Sequence, residues 1–362
     1  MRAWLFSRNV DLAAFGGTAA VALFAAFAFR LDETPPWVWI ATVLLVDVAH
    51  VHATLFRTYF DRAELQRHPV VYTFAPIACF AVALALYQES ALLFWRCAAY
   101  LAVFHFVRQQ YGWVALYRAK AGEGDRFGWI IDSAAIYAST LYPLLWWHTH
   151  LPRSFWWFVP NDFALQLAPF VSDVAFPVYC VALGAYAIRS IARGVPNPGK
   201  DLVVVTTALC WYAGIVTLNS DFAFTVTNVL IHGGPYIVLI YYYEKQYGSR
   251  RSLGRQLLER GPFALLGIVW LLAFIEEAVW DHAAWHDHPQ FFGGGLPLDS
   301  LAIWLVPLLA VPQLTHYVLD GFIWKRKWRT DTPVCPDRQD CLSSTTSEEA
   351  VAAAPRLTPG TT

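Results

Sequence analysis

Four histidines stand in apolar stretches of the chain, each with other polar side chains at helical spacing: His50, His105, His232 and His316. Neutral imidazole is the commonest protein ligand for iron, zinc and copper, and its second ring nitrogen usually needs a partner. The six cysteines form no CxxC pair, so the donors would be imidazoles and oxygens. Such a set favours non-haem iron, zinc or copper, and haem held between two histidines is the alternative.

The first polar stripe follows the second apolar stretch at spacings of three and four, as on one face of a helix: Asp47, His50, Thr54, Arg57 and Asp61. His52 is about 200° from His50 around a helix, so the two face different neighbours unless the helix is distorted. His52, and His68 just before Pro69, are secondary candidates for metal ligation.

The other three histidines have similar surroundings. His105 precedes Arg108 and Gln109; the remaining polar faces are Asp221, Thr225, Asn228, His232 and Tyr236, and then Gln313, His316 and Asp320. We expect Asp47, Asn228, Gln313 and Asp320 to be catalytic or accessory groups that help to orient the imidazoles, and Arg57, Arg108, Gln109 and Tyr236 to contact a substrate. Gly233-Gly234-Pro235 predicts a loosened helix directly after His232.

These groups must be held by membrane helices. The chain has 362 residues, of which 57% are hydrophobic and only 15% charged, and its mean hydropathy is +0.40. Ten apolar segments approach the ~20 residues of a bilayer crossing, at 11–30, 36–56, 69–87, 90–107, 127–147, 166–188, 201–218, 221–243, 261–280 and 297–318. We predict an all-α bundle of about ten transmembrane helices over residues 1–328, followed by a disordered tail over 329–362.

The distribution of Lys and Arg predicts how the segments alternate. Basic residues concentrate in the connections that share a side with the N-terminus, which indicates cytoplasmic termini. We expect a bacterial cytoplasmic membrane. His50, His105 and His316 then approach the cytoplasmic ends of their segments, with His105 closing the fourth, and His232 lies near the middle of the eighth. Because these four segments run in the same direction, their histidines can converge.

Two further polar groups are predicted. Asp132, within the fifth segment, should pair with Arg57, Arg108 or Arg118. On the external side, His282 and His286 could chelate an ion if the ninth helix persists that far. Around them lie Glu276, Glu277, Asp281, Asp287, His288, His148 and His150, and we interpret the nearby tryptophans as an interfacial belt: Trp146, Trp147, Trp156, Trp157, Trp280 and Trp285.

The arrangement of His50, His105, His232 and His316 resembles in kind the membrane-bound fatty-acid desaturases and hydroxylases and the bacterial carotene-cleaving oxygenases. In those proteins histidines at the ends of membrane helices hold iron. No pair among these four has the HxxxH spacing of desaturase motifs. The resemblance therefore implies iron ligation as an expectation and transfers no particular activity.

Polar groups buried in lipid normally face a bundle interior and mark a functional site. The leading hypothesis is a membrane oxidoreductase, oxygenase-like, hydroxylase-like or desaturase-like, with its metal at the cytoplasmic side. It would act on a lipid, isoprenoid or quinone-like substrate entering from the bilayer, with an electron-donor protein as partner and no nucleic acid. One alternative is a proton-coupled transporter with His232 as its gate, and another is a structural or assembly factor of a membrane complex.

Overall fold

The computed structural model describes residues 4–248, 252–295 and 301–324, and this described chain is built from helices with no strand. The ten long helices are α1 Arg8–Phe29, α2 Pro36–Arg57, α3 Pro69–Glu89, α4 Ala91–Ala121, α5 Arg126–Thr149, α6 Phe170–Ala192, α7 Pro198–Thr217, α8 Asp221–Tyr247, α9 Phe263–Trp285 and α10 Ala302–Ile323. Short helices lie in three connections, at Arg62–Arg67, Leu253–Glu259 and Pro289–Phe292.

Within the described residues, every long helix except α5 is both long and apolar enough to cross a membrane. The 24-residue helix α5 has the length but is more polar. Large apolar side chains on α3 and α6 are exposed, as lipid-facing residues are: Phe74, Ile77, Val174, Val181 and Ile191. The chain is an integral multi-pass membrane protein, which confirms the predicted all-α class.

Residues up to Asp320 form one compact unit. A second unit begins at Gly321, and its described part is residues 321–324. The tail predicted over 329–362 lies outside the described residues.

Most helices begin where proline or a capping side chain allows it. Pro36 and Pro69 occupy first-turn positions, and Ser90 and Asp125 accept hydrogen bonds from the backbone of the helices they start. The predicted end of the fourth span was wrong. Helix α4 continues to Ala121 before Gly122 takes a left-handed conformation, so His105 lies near the middle of a 31-residue helix.

Helix α2 changes its geometry just before His50. Ile40–Val48 winds as a π-helix, and Ala49–Arg57 as an α-helix. Wide π turns of this kind are frequent at functional sites. The predicted stripe ends at Arg57, because Asp61 lies beyond the helix and instead caps the Arg62–Arg67 helix by accepting from Ala63 N and Glu64 N.

Helix α8 lies at the centre of the bundle and packs against α1, α2 and α7. The prediction of a loosened helix after His232 was wrong, because α8 is continuous through Pro235 to Tyr247. Gly233 has a packing role instead. A Cβ atom there would lie 2.7 Å from Val46 O of α2, so only glycine permits this close contact between the two helices that carry His232 and His50.

A second buried polar group, the ionic cluster, joins α4, α5, α6 and α7. It comprises Arg118, Glu123, Asp132, Arg189 and Lys200. Asp132 pairs with Arg118, as one predicted alternative had it, and lies 2.7 Å from Lys200 Nζ. Glu123 pairs with Lys200 as well. Opposite charges therefore surround each other where these helices meet.

Candidate metal centre

Four helices bring one histidine each to a common point, here called the histidine centre: His50 of α2, His105 of α4, His232 of α8 and His316 of α10. All four are at most 4% exposed. The ring centroids of five of their pairs are 4.6–6.5 Å apart. The convergence expected from the helix directions is present.

Nitrogen atoms of the rings point at one another in two pairs. His50 Nε2 and His232 Nε2 are 3.1 Å apart, and His105 Nε2 and His316 Nε2 are 3.2 Å apart. Ligand nitrogens at 2.0–2.1 Å from a tetrahedral ion are separated by about 3.3 Å. Each pair therefore has the spacing of two neighbouring ligands of a metal ion.

The hydrogen bonds of His316 fix which of its nitrogens carries a lone pair. Tyr236 OH donates to Asp320 Oδ1 at 2.9 Å, so the contact of 2.9 Å between Thr54 Oγ1 and Tyr236 OH uses the threonine hydrogen. Thr54 must then accept from His316 Nδ1, which lies 2.7 Å away. A neutral His316 consequently keeps the lone pair on Nε2, facing the histidine centre.

Carboxylates stand on the Nδ1 side of two other rings. His50 Nδ1 is 3.5 Å from Asp47 Oδ1, and His105 Nδ1 is 3.9 Å from Asp320 Oδ2. A carboxylate behind a ligating imidazole fixes the ring tautomer and raises its basicity. Asp47 and Asp320 therefore lie on the Nδ1 side of these two rings at distances longer than a hydrogen bond, and their accessory role stays a prediction.

Two overlapping groups of three residues could each hold a metal ion. In each group every residue offers one potential ligand atom, and these three atoms lie within 4.8 Å of one another. One group is His50, His105 and His316, and the other is Asp47, His50 and His232. His50 belongs to both. An oxygen donor thus stands beside the imidazoles, and the donors include no thiolate.

His232 is held by its surroundings rather than by a polar partner on Nδ1. Its ring stacks on Phe106 at 3.5 Å and 6°, and Gln109 Nε2 donates to its backbone carbonyl at 3.0 Å. His232 Nδ1 has no hydrogen-bond partner among the described residues. Gln109 therefore contacts the centre through the backbone of His232.

Asn228 and Gln313 make hydrogen bonds away from the imidazoles. Asn228 Nδ2 donates to Phe224 O at 3.0 Å, and Gln313 Nε2 donates to Tyr317 OH at 2.7 Å. The expectation that these amides orient His232 and His316 does not match the geometry. Residues three or four apart on one helix share a face, but here each amide reaches a backbone or phenol oxygen first.

The remaining predicted ligands and substrate contacts lie elsewhere. His52 Nε2 is 2.6 Å from Glu276 Oε2 of α9, so it faces away from His50 as helical geometry required. His68 is at the start of α3. Arg57 is buried, with its Nη1 3.0 Å from Glu64 Oε2, and Arg108 is exposed and donates to Tyr137 OH. Substrate contact by either arginine stays a prediction.

No family model, curated protein or solved structure matches this chain. Its function is therefore argued from the geometry of its own residues.

A cavity of about 430 Å³ approaches the histidine centre from the end of the bundle where α2 and α8 begin and α9 ends. Phe106, Asn228, Gln313 and Tyr317 line its inner part. Phe106 and Tyr317 also stack on His232 and His105, with ring centroids 3.5 and 4.7 Å apart. The cavity thus ends one layer of side chains from the imidazoles.

The connection between α5 and α6 closes over this cavity with residues 156–160. Asp162 holds that segment in place, because its Oδ2 accepts hydrogen bonds from the backbone of Trp157, Phe158 and Val159. Burial raises the pKa of Asp162 although these hydrogen bonds oppose it. Trp156 and Trp157, like Trp280 and Trp285, line the cavity, and the interfacial belt stays a prediction.

The external His and Asp group is arranged differently from the expected helical pair. Helix α9 ends at Trp285 with a π-helical turn, and His286 is left-handed. His282 Nδ1 contacts Ala278 O at 2.9 Å. The helical condition for joint chelation by His282 and His286 is therefore not met. What the sequence missed is that Glu276, Glu277 and Asp281 line the cavity; three carboxylates ending an apolar span were the available signal.

Proposed function

We propose that the protein is an integral-membrane metalloenzyme in which His50, His105, His232 and His316 hold one transition-metal ion. The observation that carries this proposal is the pair of Nε2 contacts at 3.1 and 3.2 Å. Two lone pairs at such distances repel each other unless a proton or a cation lies between them. A metal ion would take the place of such protons, and His50, which belongs to both candidate ligand sets, connects the two pairs.

The donor set supports non-haem iron, with zinc and copper as alternatives, since imidazole with a neighbouring carboxylate suits each of these metals. Haem fits less well. The four rings are too close together for a porphyrin between any two of them, and Phe106 already covers one face of His232 at 3.5 Å. A bound iron or copper ion would supply redox chemistry, and we propose an oxidoreductase of the oxygenase, hydroxylase or desaturase type.

The protein residues around the centre have distinct roles in this proposal. Thr54 and Tyr236 form a hydrogen-bonded chain from His316 to Asp320, which holds the His316 ring and can hold or pass a proton at the Tyr236 hydroxyl. Phe106 and Tyr317 keep water from two of the rings. Asn228 and Gln313 face the cavity and are placed to orient a substrate there.

The cavity is the best candidate for the substrate site, because its volume of about 430 Å³ lies in the range of small-molecule pockets. Its aromatic walls suit a hydrophobic molecule such as a lipid, an isoprenoid or a quinone. Membrane lipids and an electron-donor protein remain the proposed partners. A bacterial cytoplasmic membrane with both termini in the cytoplasm remains the proposed location.

The decisive experiment is metal analysis of the purified protein by mass spectrometry, with absorption spectra recorded in parallel. We expect about one metal ion per chain and its loss in the single variants His50→Ala, His105→Ala, His232→Ala and His316→Ala. The control is His150→Ala, because His150 is exposed. A wild-type protein that is folded yet takes up no metal would refute the proposal. A Soret band in the absorption spectrum would show that the protein binds haem instead of a single metal ion.

A second candidate is a metal-cation transporter, and the observation that favours it is the cavity leading toward the buried histidines. The continuous helix α8 removes the broken helix that such a mechanism often uses. A measurement of metal-ion flux distinguishes the enzyme from the transporter. Vesicles containing the protein and a metal-sensitive dye should show no uptake of Zn²⁺ or Fe²⁺ for the enzyme and sustained uptake for the transporter.

A further inference from the structure

Carboxylates dominate the polar lining of the cavity. Six of them line it, and none of its lining residues is Lys or Arg: Asp47, Asp221, Glu276, Glu277, Asp281 and Asp287. In the part of the chain that the structure describes, none of the six forms an ion pair with Lys or Arg. The cavity therefore concentrates acidic groups and oxygen donors between low-dielectric walls, and those that are ionised attract cations.

Hydrogen bonds satisfy only some of the oxygen atoms of these six carboxylates. Asp221 Oδ2 accepts from Thr34 Oγ1 at 2.6 Å, and Asp281 Oδ1 accepts from His288 N at 2.7 Å. Glu276 contacts His52. These partners are neutral donors or a histidine, so none of them is a lysine or an arginine.

Several buried oxygen atoms on the cavity wall have no hydrogen-bond partner among the described residues, and two of them belong to almost fully buried residues. These two are Asp281 Oδ2 and Asn228 Oδ1, and each of these residues is only 2% exposed. Buried polar atoms are almost always satisfied by protein, water or an ion. Both atoms belong to residues that line the cavity, which points to an occupant with affinity for oxygen.

The carboxylates form a path rather than a single cluster. Asp287 is exposed at the outer end, and Glu277 lies close enough to Glu276, Asp281 and Asp47 for their charges to interact. Asp47 both lines the cavity and belongs to the ligand set with His50 and His232. The path of oxygen donors thus ends on two members of the histidine centre.

We propose that this acidic cavity is the route by which a divalent metal cation reaches the histidine centre, and that Asp47, His50 and His232 hold the ion on arrival. The inference rests on the proposed metal centre and adds the direction from which it is loaded. A cation with six waters at about 2.1 Å is roughly 7 Å across, so the cavity can admit it hydrated. Carboxylates then replace its waters in steps before the imidazoles bind.

The test is the rate at which chelator-stripped protein in detergent takes up Co²⁺, whose visible absorption reports imidazole ligation. The double variant Glu277→Gln/Asp281→Asn removes two cavity charges and leaves all four histidines. We expect its loading rate to fall at least tenfold at low ionic strength, with the final stoichiometry unchanged. Added salt should slow the wild type toward the variant, because screening weakens attraction of the ion.

Two further variants make the result specific. Asp287→Lys alters an exposed residue at the outer end, so it cannot disturb the core, and should also slow loading. The control Asp173→Asn removes an exposed carboxylate from α6 and should load at the wild-type rate. Equal rates for all four proteins would overturn the route while leaving the metal centre intact, whereas absence of Co²⁺ binding by the wild type would overturn the centre itself.

Discussion

The ionic cluster and the histidine centre are both buried polar groups between membrane helices, but they are satisfied in different ways. In the ionic cluster each carboxylate faces cations: Asp132 contacts Arg118, Lys200 and Arg189. In the histidine centre the closest contacts join like groups, Nε2 to Nε2. The ionic cluster is neutralised by its own charges, whereas each histidine pair needs a proton or a cation between its two nitrogens.

This difference distinguishes buried polar groups that hold helices together from buried polar groups that can bind a ligand. Opposite charges that neutralise one another hold helices in register and leave no unpaired charge to bind a ligand. Some buried atoms of the ionic cluster lack a geometrically good hydrogen bond, such as Asp132 Oδ1 and Arg189 Nη1, but these two atoms are 3.7 Å apart and of opposite charge. The four imidazoles carry no opposite charges among themselves: a shared proton can join each Nε2 pair, and the metal ion of the proposed function is the alternative.

The largest expected effect is on the ionic cluster. Asp132→Ala removes the fully buried carboxylate of the cluster and leaves Glu123 as the remaining counter-charge of Arg118 and Lys200, so we expect a loss of about 3 kcal/mol of stability, at the lower end of the effect of breaking a buried ion pair. Thermal unfolding in detergent measures it. The double variant Asp132→Leu/Lys200→Met removes both charges of one pair and should recover part of the loss.

The control for this prediction is Asp173→Asn, which changes an exposed carboxylate on α6 and should alter stability by less than about 0.5 kcal/mol. If Asp132→Ala were no more destabilising than this control, the ionic cluster would not be the structural element described above.

A smaller effect is expected at the histidine centre, and it should depend on metal. His50→Leu/His232→Leu removes both members of one Nε2 pair, and replacing both partners by apolar groups of similar size can be nearly neutral. We expect the metal-free variant to unfold within about 1 kcal/mol of the metal-free wild type. The wild type alone should gain about 2.7 kcal/mol at a metal concentration 100-fold above its dissociation constant.

That comparison has a clear negative outcome. If the metal-free double variant lost as much stability as Asp132→Ala, or if metal stabilised both proteins equally, the histidines would be interhelical structural groups. The assembly-factor hypothesis would then gain support over the enzyme.

The histidine centre was accessible from the sequence because each of its members is an ionisable residue in an apolar span, with further polar residues at helical spacing. His50, His105, His232 and His316 lie on helices of one direction, and helical spacing alone placed Asp47 beside His50 and Asp320 near His316. The sequence does not show which hydrogen-bond acceptor an amide side chain on a helix will use. Asn228 and Gln313 have several acceptors in reach, and the small energy differences among them depend on the neighbouring helices.

The cavity and much of the ionic cluster depend on tertiary structure that local pattern does not encode. Residues 156–160 reach the cavity only because Asp162 folds their segment back, and Asp281 faces it from a π-helical turn. Lys200 looked like a cytoplasmic loop residue. It is buried because Glu123 and Asp132 meet it from two other elements.

The smallest expected effect is the pH dependence of the stability that the ionic cluster contributes. Burial raises the pKa of Glu123, but hydrogen bonds from Asn197 and Lys200 and the charges of Lys200 and Arg118 outweigh it and hold the pKa below its ordinary value of 4.5. A carboxyl group with a lowered pKa in the folded state stabilises that state above its unfolded-state pKa and loses the contribution as pH falls through the folded-state pKa.

Acidification from pH 6 through the range below 4.5 should therefore destabilise the wild type more than Glu123→Gln, whose neutral amide does not titrate. Thermal unfolding of both proteins across this range measures the difference, and its sign is fixed by the lowered pKa of Glu123. Parallel stability curves for the two would show that Glu123 gains nothing from Lys200 and Arg118, and the ionic cluster would then reduce to the pairs made by Asp132.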